Sequence, residues 1–104
     1  MIKQIKTLKQ KRYSNLINYF FNKLFIVDNK FKNILISVVY VYINKNYSYS
    51  NIYISIYPNK YKNEIFNKIK NKKNYYKKKL SIFLKNKFII PELNFSLSNK
   101  KIFN

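Results

Sequence analysis

Between Lys60 and Lys87 the chain carries eleven lysines, half of its 22 basic residues in little more than a quarter of its 104 positions. Within that stretch Lys68, Lys70, Lys72, Lys73, Lys77, Lys78 and Lys79 stand closest together. Lysine is a compact, mobile charge, better suited to tracking phosphates than to reading base edges. A-form RNA hides its major groove and presents phosphates and 2′-hydroxyls, so a lysine-lined helix would bind it by shape and charge. A site that neutralises about six phosphates would make log affinity fall with log salt at a slope of roughly −4 to −5. The competing reading is a solvated lysine face with no specific partner. Lys11 and Arg12 lie at the start of the first helical pattern and would extend a basic surface.

Other chemistry has little to work with. The chain's three carboxylates, Asp28, Glu64 and Glu92, fall in a turn, at a helix start and at a strand start. Acid and base groups must come within hydrogen-bond reach to act as a pair, and no spacing here brings these together. Cysteine and histidine are absent, which removes disulfides, thiolate nucleophiles and the common zinc sites. Glycine is absent too, so no P-loop, dinucleotide-binding loop or nucleophile elbow can form. The expectation is a protein that is not an enzyme, with no cofactor, no metal and no small-molecule substrate.

The charge balance, +19 at neutral pH, points to a polyanionic partner whose phosphates relieve the self-repulsion. Part of the excess has a genomic reading. Lysine, asparagine, isoleucine, tyrosine and phenylalanine have codons that begin with A or T bases, and the glycine and alanine codons that are unused here begin with G or C. An AT-rich genome, such as that of a reduced bacterial symbiont or an organelle, accounts for the pattern. The longest nearly unbroken apolar run, Ile34 to Ile43, is ten residues, half of what a membrane helix requires. Met1 to Lys6 carries charges where a signal peptide needs an apolar stretch. The protein is therefore expected to avoid membranes and to work in the compartment that makes it.

At this length one domain is expected, 1–104, with its core over about 7–97 and a C-terminal tail, 98–104, that frays. A chain this size buries roughly 65% of its unfolded surface, enough for one modest core. Tyr13, Leu16, Ile17, Phe20 and Leu24 recur at three- and four-residue steps, which predicts a helix from about Gln10 to Phe25 with Arg12, Asn15, Asn18, Asn22 and Lys23 on its other side. Asp28 and Asn29 supply turn chemistry. Phe31 to Ile43 reads as a strand, with Leu35, Val39, Val41 and Ile43 on one face if the pleat is regular. Asn44-Lys45-Asn46 is a turn in which asparagine takes the positive φ that glycine would otherwise supply. The next strand alternates cleanly: Ser50, Ile52, Ile54 and Ile56 against Tyr49, Asn51, Tyr53, Ser55 and Tyr57, with helices expected on the isoleucine side. Tyr49, Tyr53 and Tyr57 could stack bases, or pair across strands with Tyr40 and Tyr42.

Pro58-Asn59 ends that strand. Ile65, Ile69, Tyr76, Leu80, Phe83 and Leu84 then form the apolar side of a helix or kinked helix pair from about Tyr61 to Lys85, with Glu64 favouring its N-terminal turn. Proline fixes φ and lacks an N–H, so it suits the residue that opens a strand. Pro91 thus predicts a closing strand from Glu92 to Leu97. The fold class expected is α+β, a three-stranded sheet with helices packed on one face.

Four segments in this order resemble ribosome-binding factor A, a bacterial family of small-subunit assembly factors. They are the basic run Gln10-Lys11-Arg12-Tyr13-Ser14-Asn15-Leu16-Ile17, the tyrosine-bearing Tyr47-Ser48-Tyr49-Ser50-Asn51-Ile52-Tyr53-Ile54-Ser55, the basic helix end Lys77-Lys78-Lys79-Leu80, and Pro91-Glu92-Leu93-Asn94-Phe95. The resemblance spans roughly Thr7 to Leu97. It implies a KH-like type II domain of order α-β-β-α(kinked)-β. It also implies a non-enzymatic assembly factor that binds the immature 30S subunit and promotes late maturation and 5′-end processing of its 16S rRNA. The implied partners are 16S rRNA and the free 30S subunit, met by a monomer in the cytoplasm. A structural small ribosomal protein of an organelle or reduced symbiont is the alternative. The family usually kinks its second helix at an alanine-x-glycine step, which by spacing falls here on Lys73-Asn74-Tyr75, where neither residue type is present. Asparagine tolerates unusual φ, so Asn74 could carry a bend, or the helix could run straight. The implied RNA-binding residues are Lys68, Lys70, Lys72, Lys73, Asn74, Lys77, Lys78 and Lys79, with Lys11 and Arg12.

Overall fold

The alternating isoleucines of the second strand organise the molecule. This computed structural model describes residues 8–27, 33–85 and 89–98. Helix α1 (Leu8–Val27) precedes an antiparallel hairpin of β1 (Leu35–Ile43) and β2 (Tyr49–Tyr57). A 3₁₀ turn (Asn59–Tyr61) leads into α2 (Lys62–Asn71), then α3 (Lys73–Leu84), and β3 (Glu92–Leu97) follows. β2 is central, antiparallel to β1 and parallel to β3, so the sheet is mixed with order β1-β2-β3. The chain is α+β, in the order expected, and the closing strand begins directly after the buried Pro91. The expected turn at Asp28-Asn29, the strand start at Phe31 and the tail from residue 99 lie outside the described residues. Ser98, placed in the fraying tail by its sequence, instead donates its N–H to the Ile54 carbonyl at 2.8 Å and extends the β2–β3 ladder.

Ser50, Ile52, Ile54 and Ile56 are all buried beneath the helices, as their alternation requires. β1 departs from a regular pleat. Val38 pairs with Ile54 and Tyr40 with Tyr53, which leaves Val39 as an extra residue in a β-bulge. The bulge switches faces, so the buried set is Ile36, Val38, Val41 and Ile43, and the expected Leu35 and Val39 lie outside it. Asn22 of α1 serves the irregularity, its Oδ1 accepting from the Val38 N–H at 2.9 Å. Its side chain therefore faces β1 rather than bulk water.

The buried stripe of α1 is rotated from the one its apolar residues suggest. Gln10, Tyr13, Ser14, Ile17, Phe21 and Phe25 are buried, while Leu16, Phe20 and Leu24 flank them half-buried. Two polar residues belong to this stripe because the backbone satisfies them. Gln10 Nε2 donates to the Ile43 carbonyl at 3.3 Å, and Ser14 Oγ to the Lys11 carbonyl at 3.0 Å. With no alanine or glycine to bring elements close, large rings fill the centre. Phe21 and Phe25 meet Tyr76 of α3 at centroid distances of 5.9 and 5.8 Å, and Phe21 and Tyr76 each meet Phe95 of β3 at 5.7 Å. This cluster locks α3, the lysine-bearing helix, to the sheet.

Positive φ falls on Asn33, Tyr47 and Lys85. The hairpin turn thus places Tyr47, and neither Asn44 nor Asn46, in the left-handed region. Asn44 acts through its side chain instead, its Oδ1 accepting from the Ser48 and Tyr49 N–H groups at 3.0 Å each.

Candidate nucleic-acid interface

The helical segment breaks at one residue. Lys72 closes α2 and opens α3, at φ −96° and ψ 16°. Its N–H donates to the Ile69 carbonyl at 3.1 Å, tightening the end of α2, and its carbonyl accepts from the Tyr76 N–H at 3.0 Å, starting α3. Because φ stays negative, the break needs neither glycine nor asparagine. The expected kink at Lys73-Asn74-Tyr75 therefore forms one residue earlier, and Asn74 is an ordinary exposed residue in the first turn of α3.

Around this junction the helical repeat of about 100° per residue distributes the lysines. Ile65 and Ile69 anchor α2, and Tyr76, Leu80 and Leu84 anchor α3. Three positions before Tyr76 and Leu80 come Lys73 and Lys77, on the flank facing β3. Glu92 lies there: its Oε1 is 2.9 Å from Lys73 Nζ, and its Oε2 is 3.3 Å from Lys77 Nζ. Hydrogen bonds from Lys73 and Lys77, then their positive charge, hold the Glu92 carboxyl below its ordinary value. Glu92 is placed by the strand start. Its N–H donates to the Ser48 carbonyl at 2.9 Å, and the Glu92 carbonyl accepts from the buried Ser50 Oγ at 3.0 Å.

Three positions after Tyr76 and Leu80 come Lys79 and Phe83, on the opposite flank, which also holds Lys72 and Tyr75. This flank faces α1, where Phe83 meets Phe20 with ring centroids 5.0 Å apart. Lys72 Nζ and Lys79 Nζ lie 5.0 and 5.6 Å from the Tyr75 ring centre. Such exposed cation–π contacts contribute about 0.5–1 kcal/mol. Asn74 and Lys78 point outward between the two flanks. On α2, Lys70 lies over the Phe66 ring at 5.1 Å, and Lys68 is exposed. Lys11 and Arg12 are exposed at the end of α1 that packs on the hairpin, beside the Tyr13–Tyr47 ring contact at 5.8 Å.

The lysines therefore fan around the junction rather than forming one face. Two roles were missed in the sequence. Glu92 acts on lysines 15 and 19 positions away, a contact only the parallel β2–β3 pairing creates. Tyr75 was legible, since lysines at i−3 and i+4 of a helical tyrosine share its side of the helix. On the sheet's other face, Tyr40 and Tyr53 form the cross-strand ring pair at 6.0 Å, and Asn51, Asn94 and Ser96 share hydrogen bonds at 2.9–3.2 Å. Tyr42 lies opposite Asn51 in the β1–β2 register.

A mixed three-stranded sheet with all helices on one face, a helix broken at its centre and a lysine fan at the break define a KH-like domain. The family model described as ribosome-binding factor A matches residues 9–101. The chain belongs to the ribosome-binding factor A family, whose members are ribosome-binding assembly factors. No curated protein matches the chain. No helix among the described residues is long and apolar enough to cross a membrane.

Proposed function

We propose that the protein binds the immature 30S ribosomal subunit as a monomer in the cytoplasm and promotes late maturation and 5′-end processing of its 16S rRNA without catalysing a reaction. The observation that carries this reading is the fan of lysines at the α2–α3 break, on a chain that belongs to this family. Lys68, Lys70, Lys72, Lys73, Lys77, Lys78 and Lys79 contact phosphates of folded rRNA, with Asn74 beside them and Lys11 and Arg12 extending the contact. The ring cluster around Phe21 and Tyr76 holds α3 rigid, so the charges meet the RNA in a fixed arrangement. Phosphate contacts of this kind hold an rRNA conformation and release it when the surface changes shape.

The test is a variant with Lys72, Lys73, Lys77 and Lys78 all replaced by glutamine. It folds as the wild type does, because these side chains are not core residues, and it fails to co-sediment with immature small subunits. Cells that depend on it accumulate 16S rRNA with unprocessed 5′ ends. Wild-type co-sedimentation by the quadruple variant would remove this surface from the function.

A further inference from the structure

Tyr75 and Tyr76 are adjacent, yet they do different things. Tyr76 is 5% exposed and locked among Phe21, Phe25 and Phe95; Tyr75 is 38% exposed on the lysine-bearing side of α3. The Tyr76 ring braces its neighbour at 5.5 Å and 65°, and the first turn of α3 fixes its backbone. Tyr75 is thus a ring held in place before any ligand arrives, and preorganisation of this kind lowers the ordering cost of binding. The ammonium groups of Lys72 and Lys79 stand 5.0 and 5.6 Å from its centre.

We propose that Tyr75 stacks an unpaired nucleobase of RNA while Lys72 and Lys79 take the phosphates on either side. The inference rests on the RNA-binding reading above and adds a substrate class, RNA with a nucleotide outside the duplex stack. An A-form helix keeps its bases stacked inward, so only a loop, bulge or strand end can offer a base to a protein ring. Stacking on a base is stronger than an exposed contact between an ammonium and the same ring. The exchange is therefore favourable: each lysine leaves the ring for a phosphate, and the base occupies the face it leaves. The tyrosines of the open sheet face are less suited, because Tyr40 and Tyr53 already engage each other and the Asn51–Asn94–Ser96 network lies beside them.

The experiment compares the full-length wild type with Tyr75→Leu and Tyr75→Phe. The probes are a single-stranded oligoribonucleotide carrying 2-aminopurine, whose fluorescence is quenched by stacking, and a fully paired RNA duplex of equal phosphate number. Tyr75→Leu is expected to weaken single-strand binding about tenfold and to abolish the quench. Duplex affinity and the salt slope stay as in the wild type, and Tyr75→Phe keeps the quench. Unchanged single-strand affinity, or an equal loss on both probes, overturns the inference. If Tyr75→Leu has no effect while the quadruple lysine variant still loses binding, only the stacking role falls. If the quadruple variant binds both probes as the wild type does, the RNA-binding reading falls with it.

Discussion

The two flanks of α3 each carry a pair of lysines, yet they present different chemistry. On the β3 flank, Lys73 and Lys77 share the Glu92 carboxylate, so part of their charge is already answered within the molecule. On the α1 flank, Lys72 and Lys79 meet the quadrupole of Tyr75, a softer partner that a phosphate readily displaces. A count of lysines therefore overstates the site. What an incoming polyanion meets depends on what each ammonium must give up.

Both flanks hang from one buried face, so the largest effect comes from removing it. Leu80, fully buried, lies between the two lysine pairs; Leu80→Ala is expected to cost about 2–5 kcal/mol in denaturant unfolding. That is a large share of the ~5–15 kcal/mol of a typical domain, and both flanks lose their RNA affinity together. Separating the flanks gives the next largest effect. Lys72→Gln with Lys79→Gln is expected to weaken RNA binding by about tenfold, and Lys73→Gln with Lys77→Gln by about threefold, each pair shallowing the salt slope by up to about two units. Equal losses would mean that Glu92 does not moderate its lysines.

Two smaller effects bear on the β3 flank alone. The Tyr13 hydroxyl donates to the Ile89 carbonyl and so holds the connection that delivers Glu92. Tyr13→Phe is expected to lower stability by about 1 kcal/mol. Burial pushes the Tyr13 hydroxyl up to about 12 from 10.0. The folded state thus prefers the protonated phenol. This contribution is complete below pH 10 and is lost as pH rises from 10 towards 12, so melts over that window should show wild-type stability falling towards that of Tyr13→Phe. Glu92 titrates in the opposite sense. Its lowered pKa contributes stability above the ordinary carboxylate value of 4.5, which is lost as pH falls through the depressed value. Glu92→Gln removes that acid-side loss, and at neutral pH it should raise RNA affinity about threefold by freeing Lys73 and Lys77. An unchanged affinity would show that the ion pairs leave those lysines available.

The fold was legible where a local rule decided it. Pro91 marked the start of β3 to the residue, and the alternation of β2 gave its buried face, because period-two burial is a property of the strand itself. Legibility failed where distant backbone intervened. The bulge at Val39 turns the first half of β1 over, and its partner Asn22 lies 16 residues away from Val38. The α1 stripe departs from its apolar pattern because Gln10 and Ser14 are buried polar residues whose acceptors are backbone carbonyls, which a hydropathy pattern does not register. The helix break fell one residue early, since a negative-φ turn at Lys72 leaves no mark in composition. In the same way the lysines of the candidate site could be named from sequence, but their division by Glu92 depends on the parallel register of β3.

The central claim is that the lysines at the α2–α3 break bind small-subunit rRNA through its phosphates. The most direct measurement is the affinity for immature small subunits across a salt series from about 50 to 200 mM, for the wild type and the quadruple glutamine variant. The wild-type slope is expected to be roughly −4 to −5, falling in magnitude by about three in the variant. Parallel lines for the two proteins would contradict it.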